Sequence, residues 1–358
     1  MSIALSHGGT TIYSSPSRSD ELWVGTRKGI AVLERGSGGS GWRVARHMLE
    51  DKHISAIHQE PESGMFFVGA FHAGLHVSGD HGATWEAREN GLTELDVYSI
   101  NSSCSNGRTR LYAGTEPAHL FCSDDLGEHW TELPALRSVP SVPNWKFPVP
   151  PHIAHAKHIN FDPHDPDTVY VSVEVGGLLR SRDRGESFEE LLGIYEDAHR
   201  LVIHPRDSDR LYEVTGRGLY VSADGGMNFE ERLVRPCENG DYPDGCVLNP
   251  LNPDLMFLSA AQYNPGQWQR THFAGARISR SLDGGRTWEI LRNGLPDRLQ
   301  ASIEALCLEA AGDSVSVFAA TTSGEVYSSD DAGESWSVIA SGLAPVSKDF
   351  HYKDLQAA

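Results

Sequence analysis

The sequence predicts an all-β fold, a seven-bladed β-propeller of four-stranded antiparallel blades, from three observations. One short phrase, Ser-x-Asp-x-Gly-x-x-aromatic, occurs six times in the 358 residues. Its aspartates are separated by 45, 58, 41, 59 and 48 residues, a period typical of propeller blades rather than of helical repeats. Short β-rich runs flank each copy, as in GLHVSGDHGATWEA. Each phrase therefore marks the hairpin turn of one blade.

The residue types of the phrase explain a tight turn. The aspartate carboxylate accepts hydrogen bonds from amides of its own turn, the glycine adopts a backbone conformation that a Cβ resists, and the aromatic ring packs under the loop. We therefore expect these residues to build structure rather than to catalyse a reaction. The six aspartates are Asp80, Asp125, Asp183, Asp224, Asp283 and Asp331.

Six blades follow directly, because four β-rich runs recur in the same order around each phrase. A seventh blade precedes them in ELWVGTRKGIAVLERGSGGSGWRVARHM, where the aspartate turn has degenerated to RGSGGSG. This blade lacks a first strand, which either TTIYSS near the start or FHYKDL near the end is available to supply. We expect a ring closed by the chain termini, since closure removes exposed sheet edges. The first strands of the other six are HISAIHQEP, VYSINSSC, HAKHINFDP, HRLVIHP, GCVLNP and IEALCLEA.

Composition and charge limit the classes of function. The chain is 39% hydrophobic with a net charge of −19 and no basic block, which argues against nucleic acid and membranes as partners. It has no apolar run of membrane-spanning length, and its N-terminus lacks the pattern of a signal peptide. We expect a single cytoplasmic domain over residues 1–358 with no organic cofactor. The five cysteines show no metal-binding spacing, and pairing of Cys237 with Cys246 stays open, as does the oligomeric state.

Loops at the ends of the blades opposite the phrases collect histidines and arginines. Three insertions are expected there, at roughly residues 133–155, 232–244 and 260–277, and the first carries Trp145 and Phe147. Long loops with aromatic and polar residues usually bind a ligand or cover a site. The residues expected to bind a substrate are Arg27, Lys28, His72, Arg217, Trp268, Arg270 and His272.

Histidines and carboxylates near the first strands indicate metal-assisted or acid–base chemistry. Imidazole is a common metal ligand that titrates near neutrality, and His with Glu suits zinc, manganese or iron. The alternative for each histidine is a hydrogen-bonded residue that fills the channel, and the arginines either hold an anionic group or pair with nearby carboxylates. The candidate metal ligands are His53, His155, Glu174 and His199. The candidate catalytic residues are His199, Glu174, His158 and Asp197.

The repeated phrase resembles the Asp-box, or bacterial neuraminidase (BNR) repeat, shared by sialidases, sortilin-type receptors and many bacterial propellers. VGTRKGI in the first blade, with VSVEVGGLLRSRDRG and HRLVIHPRDSDRLYEVTGRGLYVSADGG, is similar to a seven-bladed bacterial group labelled glycosyl hydrolase or sialidase-like. The resemblance covers almost the whole chain and implies the propeller fold. A sialidase needs an Arg-Ile-Pro motif and three arginines for the substrate carboxylate. No Arg-Ile-Pro is present here, so we do not expect sialidase activity.

These observations favour an enzyme over other classes of protein. The leading hypothesis is a metal-dependent hydrolase or lyase that acts on a small polar, anionic molecule in an axial pocket, with His/Glu acid–base chemistry. A non-enzymatic scaffold or assembly factor is one alternative, although a docking platform usually exposes an apolar surface. A glycoside hydrolase other than a sialidase is the other, with Glu174, Asp197 and Asp244 as carboxylates and Trp145 and Trp268 as aromatics.

Overall fold

The computed structural model describes residues 2–36, 41–148, 150–233 and 237–347. These residues form seven sheets of four strands, one of which gains a fifth strand. The predicted all-β fold, a seven-bladed β-propeller, is confirmed. The described helical structure comprises α1 (Pro265–Thr271) and two short 3₁₀ helices, Pro134–Ser138 and Val142–Asn144, which lie in two of the predicted insertions.

Blades 1 to 7 follow the chain, and neighbouring strands of a blade pair antiparallel except where the N-terminal segment adds a parallel strand to blades 1 and 7. Blade 1 contains β1 (Ile3–Leu5), β3 (Glu21–Thr26), β4 (Gly29–Arg35) and β5 (Trp42–Met48); blade 2 contains β6 (His53–Gln59), β7 (Phe66–Phe71), β8 (Gly74–Ser78) and β9 (Glu86–Ala87). Blade 3 contains β10 (Asp96–Ser105), β11 (Arg108–Glu116), β12 (Leu120–Ser123) and β13 (Thr131–Glu132); blade 4 contains β14 (His155–Phe161), β15 (Val169–Glu174), β16 (Gly177–Ser181) and β17 (Glu189–Leu191).

The last three blades repeat this plan. Blade 5 contains β18 (Ala198–His204), β19 (Asp207–Thr215), β20 (Leu219–Ser222) and β21 (Glu230–Glu231); blade 6 contains β22 (Tyr242–Leu248), β23 (Met256–Ala261), β24 (Arg277–Ser281) and β25 (Glu289–Ile290). Blade 7 contains β26 (Ile303–Ala311), β27 (Ser314–Thr321), β28 (Val326–Ser329) and β29 (Ser337–Ala340), and β2 (Ile12–Ser15) is its fifth strand.

Burial along the strands explains the sequence pattern. Second strands such as β7, FFVGAF, are buried on both faces and so read as continuous apolar runs. Fourth strands are more exposed, and those of blades 2 to 6 contain only two or three residues each. Short edge strands of this kind offer few unpaired backbone groups for association with another sheet.

The N-terminal segment supplies a strand to two different blades. The first strand of blade 1 is β1, which pairs in parallel with β3, and not TTIYSS. TTIYSS instead contains β2, which pairs in parallel with β26 in blade 7. The N-terminal segment therefore takes part in closing the ring, as predicted. Its two short strands pair in different sheets because a turn separates them. FHYKDL and most of the degenerate turn of blade 1 lie outside the described residues.

The repeated phrase forms the expected turn in all six copies. In blade 2 the Ser78 hydroxyl donates to Asp80 Oδ1 at 2.8 Å and accepts from the Gly82 amide at 2.8 Å. Thr84 donates both its amide and its hydroxyl to the Asp80 carboxylate, at 2.8 and 2.6 Å. These hydrogen bonds, first among them that from the Thr84 side chain, lower the pKa of Asp80 to about 2. The aspartates are therefore committed to structure, as predicted.

By backbone contacts the chain divides into two compact units. Unit 1 comprises residues 1–55 and 234–358, and unit 2 comprises residues 56–233. Blades 1, 6 and 7 belong to unit 1, and blades 3, 4 and 5 belong to unit 2. The boundary falls inside β6, so most of blade 2 belongs to unit 2.

Two further expectations concern membranes and thiols. No helix among the described residues is long and apolar enough to cross a bilayer. Within the described residues no disulfide joins Cys237 to Cys246, the pair left open by the sequence, and the other three cysteines form none either.

Candidate functional site

A register shift recurs near the start of the first strand in blades 3 to 7. Such bulges bend a strand and redirect its side chains, and they are common beside active sites. In blade 4 the shift lies between Ala156 and His158 and places charged side chains in the interior. The other four lie at Val97/Ser99, Ala198/Arg200, Pro243/Gly245 and Ile303/Ala305.

Glu174, the last residue of β15, is the centre of a buried polar cluster in unit 2. Its side chain is fully buried, and its Oε2 accepts a hydrogen bond from His155 Nε2 at 2.7 Å. Lys157 Nζ lies 3.2 Å from the same oxygen and is itself only 1% exposed. A buried carboxylate is costly unless it is paired, and these two donors from β14 supply the compensation.

The second Glu174 oxygen faces a neighbouring blade. His199, fully buried in β18, places Nε2 3.8 Å from Glu174 Oε1 and 3.5 Å from Asp197 Oδ1. Asp197 also forms an isolated antiparallel bridge with Glu174, which aligns the two backbones. The Asp197 side chain is 17% exposed, so it is the member of this trio that meets solvent.

Aromatic rings and one further carboxylate surround His155. Glu116 Oε2 lies 3.3 Å from His155 Nδ1, and Glu116 is 22% exposed. The Tyr98 ring stacks on the imidazole at 4.0 Å between centroids, and the Phe147 ring lies 5.5 Å away. Half-buried Trp145 packs against Gly176, where an added Cβ would lie 3.0 Å from the indole. The 133–155 insertion thus brings two aromatic side chains to the cluster.

A second small group lies beside Asp197. The Gly216 amide donates to the Asp197 carbonyl at 2.8 Å, which brings Arg217 to the same place. The Arg217 guanidinium carbon lies 5.8 Å from the ring centre of half-buried Tyr195, and this arginine is 55% exposed. The Arg217 backbone is therefore held next to Asp197, while its Nε lies 4.0 Å from Glu231 Oε1.

The titratable groups of the cluster differ in the charge state that their surroundings favour. Burial opposes protonation of His155, but the Glu174 and Glu116 carboxylates outweigh it and raise the pKa of this histidine. Burial, with the cations Arg200 and Lys157, holds the pKa of His158 well below its ordinary value. Burial also raises the pKa of Glu213 to about 8. His155 therefore favours the charged form, whereas His158 and Glu213 favour the neutral form.

The structure brings together three of the four predicted catalytic residues, Glu174, Asp197 and His199. His158 lies on the same strand as His155 and opposite Ser172, and it makes no hydrogen bond through Nδ1 within the described residues. Because Glu174 is fully buried, it does not meet a substrate directly in this conformation.

Two of the predicted metal ligands have other partners. His155 donates to Glu174 and faces Glu116, so both of its nitrogens are directed at carboxylates. His53 lies in unit 1, where its Nε2 is 2.8 Å from the Ser347 carbonyl oxygen. In place of these two histidines, Asp197 joins Glu174 and His199 with ligand atoms all within 4.8 Å of one another.

The predicted substrate-binding residues fall in both units. In unit 2, the backbone at Arg217 lies next to Asp197, whereas exposed His72 of blade 2 pairs with Asp96 of blade 3 at 2.6 Å. In unit 1, Trp268 is fully buried: its indole nitrogen donates to the Tyr263 carbonyl at 2.9 Å, so it packs the 260–277 insertion and offers no ring to a ligand. The remaining four are exposed Arg27, Lys28 and Arg270, and half-buried His272.

Sequence reasoning missed Lys157, Tyr98 and Glu213. A lysine in a strand normally marks a solvent-facing position, and nothing local in HAKHINF signals the bulge that turns Lys157 inward. Its occurrence between two histidines in a first strand was the available signal. Tyr98 and Glu213 sit in apolar runs that read as ordinary core strands.

The fold and the site thus define a β-propeller with a buried His–Lys–Glu cluster that opens to solvent at two carboxylates. No family model matches the chain. It is 26% identical over 219 residues to the xyloglucanase Xgh74A of Acetivibrio thermocellus, which covers 50% of this chain. It is 23% identical over 277 residues to the oligoxyloglucan-reducing end-specific xyloglucanase of Emericella nidulans, which covers 62% of this chain. The matched segments span 25% and 31% of those proteins.

Solved structures show the same fold. The GH74 xyloglucanase from Xanthomonas campestris aligns with a TM-score of 0.66 at 18% identity, over 96% of this chain and 56% of that one. YCF48 bound to D1 peptide aligns with a TM-score of 0.50 at 16% identity, over 77% of this chain and 79% of that one.

Proposed function

We propose that this chain is a glycoside hydrolase that cleaves xyloglucan or a related branched glucan. The observation that carries the proposal is its sequence similarity to xyloglucanases, which extends over half or more of the chain in the two relatives described. From the sequence alone, a glycoside hydrolase is an alternative to a metal-assisted enzyme for small anionic molecules. The similarity to polysaccharide-cleaving proteins favours the alternative.

The geometry of unit 2 supports a sugar site. Glycoside hydrolysis normally uses two carboxyl groups on either side of the scissile bond. Glu116 and Asp197 are the two carboxylates of the cluster that reach solvent, at 22% and 17% exposure, and we assign catalysis to them. Half-buried Trp145 packs against Gly176 and half-buried Phe147 lies 5.5 Å from the His155 ring in the same cluster, and aromatic side chains with a few polar groups are typical of a ligand pocket.

The test is hydrolysis of xyloglucan and of xyloglucan oligosaccharides, followed by reducing-end release and by mass spectrometry of the products. Glu116→Gln and Asp197→Asn each keep side-chain size and remove the charge. Loss of a positioned acid or base lowers the rate by about 10²- to 10⁴-fold. Exposed Glu196→Gln, one residue from Asp197, is the matched control and should stay within about twofold of the wild type.

A second candidate is a propeller that binds a protein segment without catalysis. It is favoured by the alignment with YCF48 bound to D1 peptide, because that alignment covers similar shares of the two chains. This candidate predicts no release of sugar from any glucan. Hydrolysis that depends on Glu116 and Asp197 would contradict it, and absence of hydrolysis by the folded wild type would contradict the glycosidase.

A further inference from the structure

We propose that Glu174, Asp197 and His199 bind a divalent metal ion of the manganese or zinc type. The three residues offer one ligand atom each, all within 4.8 Å of one another. One imidazole with two carboxylates is a mixed nitrogen and oxygen donor set, which suits Mn²⁺, Fe²⁺ or Zn²⁺ better than Ca²⁺ or Cu⁺. The inference goes beyond the proposed function, since metal binding is measured without any sugar.

The distances fit shared ligands better than hydrogen bonds. His199 Nε2 lies 3.5 Å from Asp197 Oδ1 and 3.8 Å from Glu174 Oε1. Hydrogen bonds between nitrogen and oxygen are usually 2.7 to 3.2 Å long. Two atoms bound to one ion at about 2.0 to 2.2 Å, with near-tetrahedral angles, lie roughly 3.3 to 3.6 Å apart. The separation of His199 from Asp197 falls in this range, and its separation from Glu174 exceeds the upper limit by about 0.2 Å.

The groups around Glu174 hold its carboxylate in the orientation that a metal ligand needs. His155 and Lys157 both contact Oε2, at 2.7 and 3.2 Å, while Oε1 is directed at His199. Hydrogen bonds from neighbouring groups commonly fix metal-binding carboxylates in this way. Lys157 and charged His155 together offset the carboxylates of Glu174 and Glu116, so that the group including Asp197 and a neutral His199 carries a net charge of −1.

An unsatisfied oxygen gives independent support. Asp197 Oδ1 is buried and makes no hydrogen bond within the described part of the chain, although the rest of the side chain reaches solvent. Buried polar atoms are nearly always satisfied by a protein group, a water or an ion. A cation between Asp197, His199 and Glu174 would satisfy this oxygen, and its remaining coordination positions would face the solvent-exposed side for water or a hydroxyl-bearing ligand.

The experiment uses the full chain stripped with EDTA and then titrated with Mn²⁺, with free Mn²⁺ followed by electron paramagnetic resonance. Zn²⁺ stoichiometry is measured by elemental analysis after dialysis. We expect one ion per chain in the wild type. Asp197→Asn should weaken the binding of Mn²⁺ by tenfold or more, whereas Glu196→Gln should change it by less than threefold. Near-ultraviolet circular dichroism verifies that the variants are folded.

Absence of bound Mn²⁺ and Zn²⁺ in the wild type would overturn the proposal, as would equal binding by Asp197→Asn and Glu196→Gln. The outcome is separable from that of the proposed function. A chain that binds the ion but cleaves no glucan refutes only the glycosidase, and a metal-free chain that cleaves glucan at the full rate refutes only the metal site. If both hold, Asp197→Asn loses activity and metal together, while Glu116→Gln loses activity alone.

Discussion

Replacing Lys157 by Met tests the buried charge pair on which the cluster depends. The ammonium lies 3.2 Å from Glu174 Oε2, and the two side chains are 1% and 0% exposed. Methionine has a similar volume, so the change removes a charge without opening a large cavity. Breaking a buried pair by removing one partner costs about 3 to 5 kcal/mol, because the other charge stays buried. Since His155 still donates to Glu174 at 2.7 Å, we expect the lower end, about 3 kcal/mol.

The assay is equilibrium unfolding in guanidinium chloride with EDTA at pH 7, followed by tryptophan fluorescence. The double variant Lys157→Met with Glu174→Gln replaces the pair by two neutral side chains and should recover most of the lost free energy of unfolding. A loss below about 1 kcal/mol for Lys157→Met is the size expected of an exposed pair and would refute the buried-pair explanation. The explanation would also be refuted if the double variant lost as much free energy of unfolding as Lys157→Met and Glu174→Gln lose together.

Three further predictions concern pH, backbone and turn. The folded chain keeps the Glu213 proton up to about pH 8, whereas the unfolded chain releases it near pH 4.5, so the free energy of unfolding should fall as pH rises between these values. Glu213→Gln should flatten that fall in a series of unfolding midpoints from pH 5 to pH 9, and an unchanged slope would contradict the burial argument. Gly29 and Gly107 both have positive φ, but only at Gly29 does an added Cβ meet backbone, at 2.2 Å from the Met48 carbonyl oxygen. Gly107→Ala should therefore lower the free energy of unfolding by about 1 kcal/mol, and Gly29→Ala should lower it by clearly more, as measured by thermal unfolding. Equal losses would show that the backbone moves to relieve the contact at Gly29. Ser222→Ala removes three hydrogen bonds of the blade 5 turn, at 2.8, 2.9 and 3.3 Å, and should lower the free energy of unfolding by about 1 to 2 kcal/mol, against no change for exposed Ser17→Ala.

Much of the fold was predictable because its information is local. The turn phrase specifies its own hydrogen bonds, as Ser78, Asp80 and Gly82 show, and its repeat gives the number of blades. TTIYSS was expected as a strand of blade 1, and this was wrong, since its strand β2 pairs with β26 of blade 7. The pairing of β2 with β26, like that of β1 with β3, depends on contacts distant in sequence. Three- and four-residue strands carry too little pattern to choose between such partners.

The candidate site was predictable in part, for the same reason. Glu174, Asp197 and His199 were identified because charged residues at strand ends stand out from apolar strands. Lys157 was not, since its inward direction follows from a bulge that the strand sequence does not signal. Trp268 was misplaced because an aromatic in a long loop can face a ligand or pack the loop itself, and the structure shows the second.

The division of the N-terminal segment between two blades has a consequence for biosynthesis. Ile12 pairs with Leu308, so β2 is synthesised about 300 residues before the strand that it pairs with. At about 5 to 20 residues per second, that wait lasts roughly 15 to 60 s on the ribosome. During this time β2 has an unpaired edge, and blade 7 receives this strand only after β26 has emerged. Contacts so remote in sequence slow folding, and we expect β2 to dock after the intervening blades have formed.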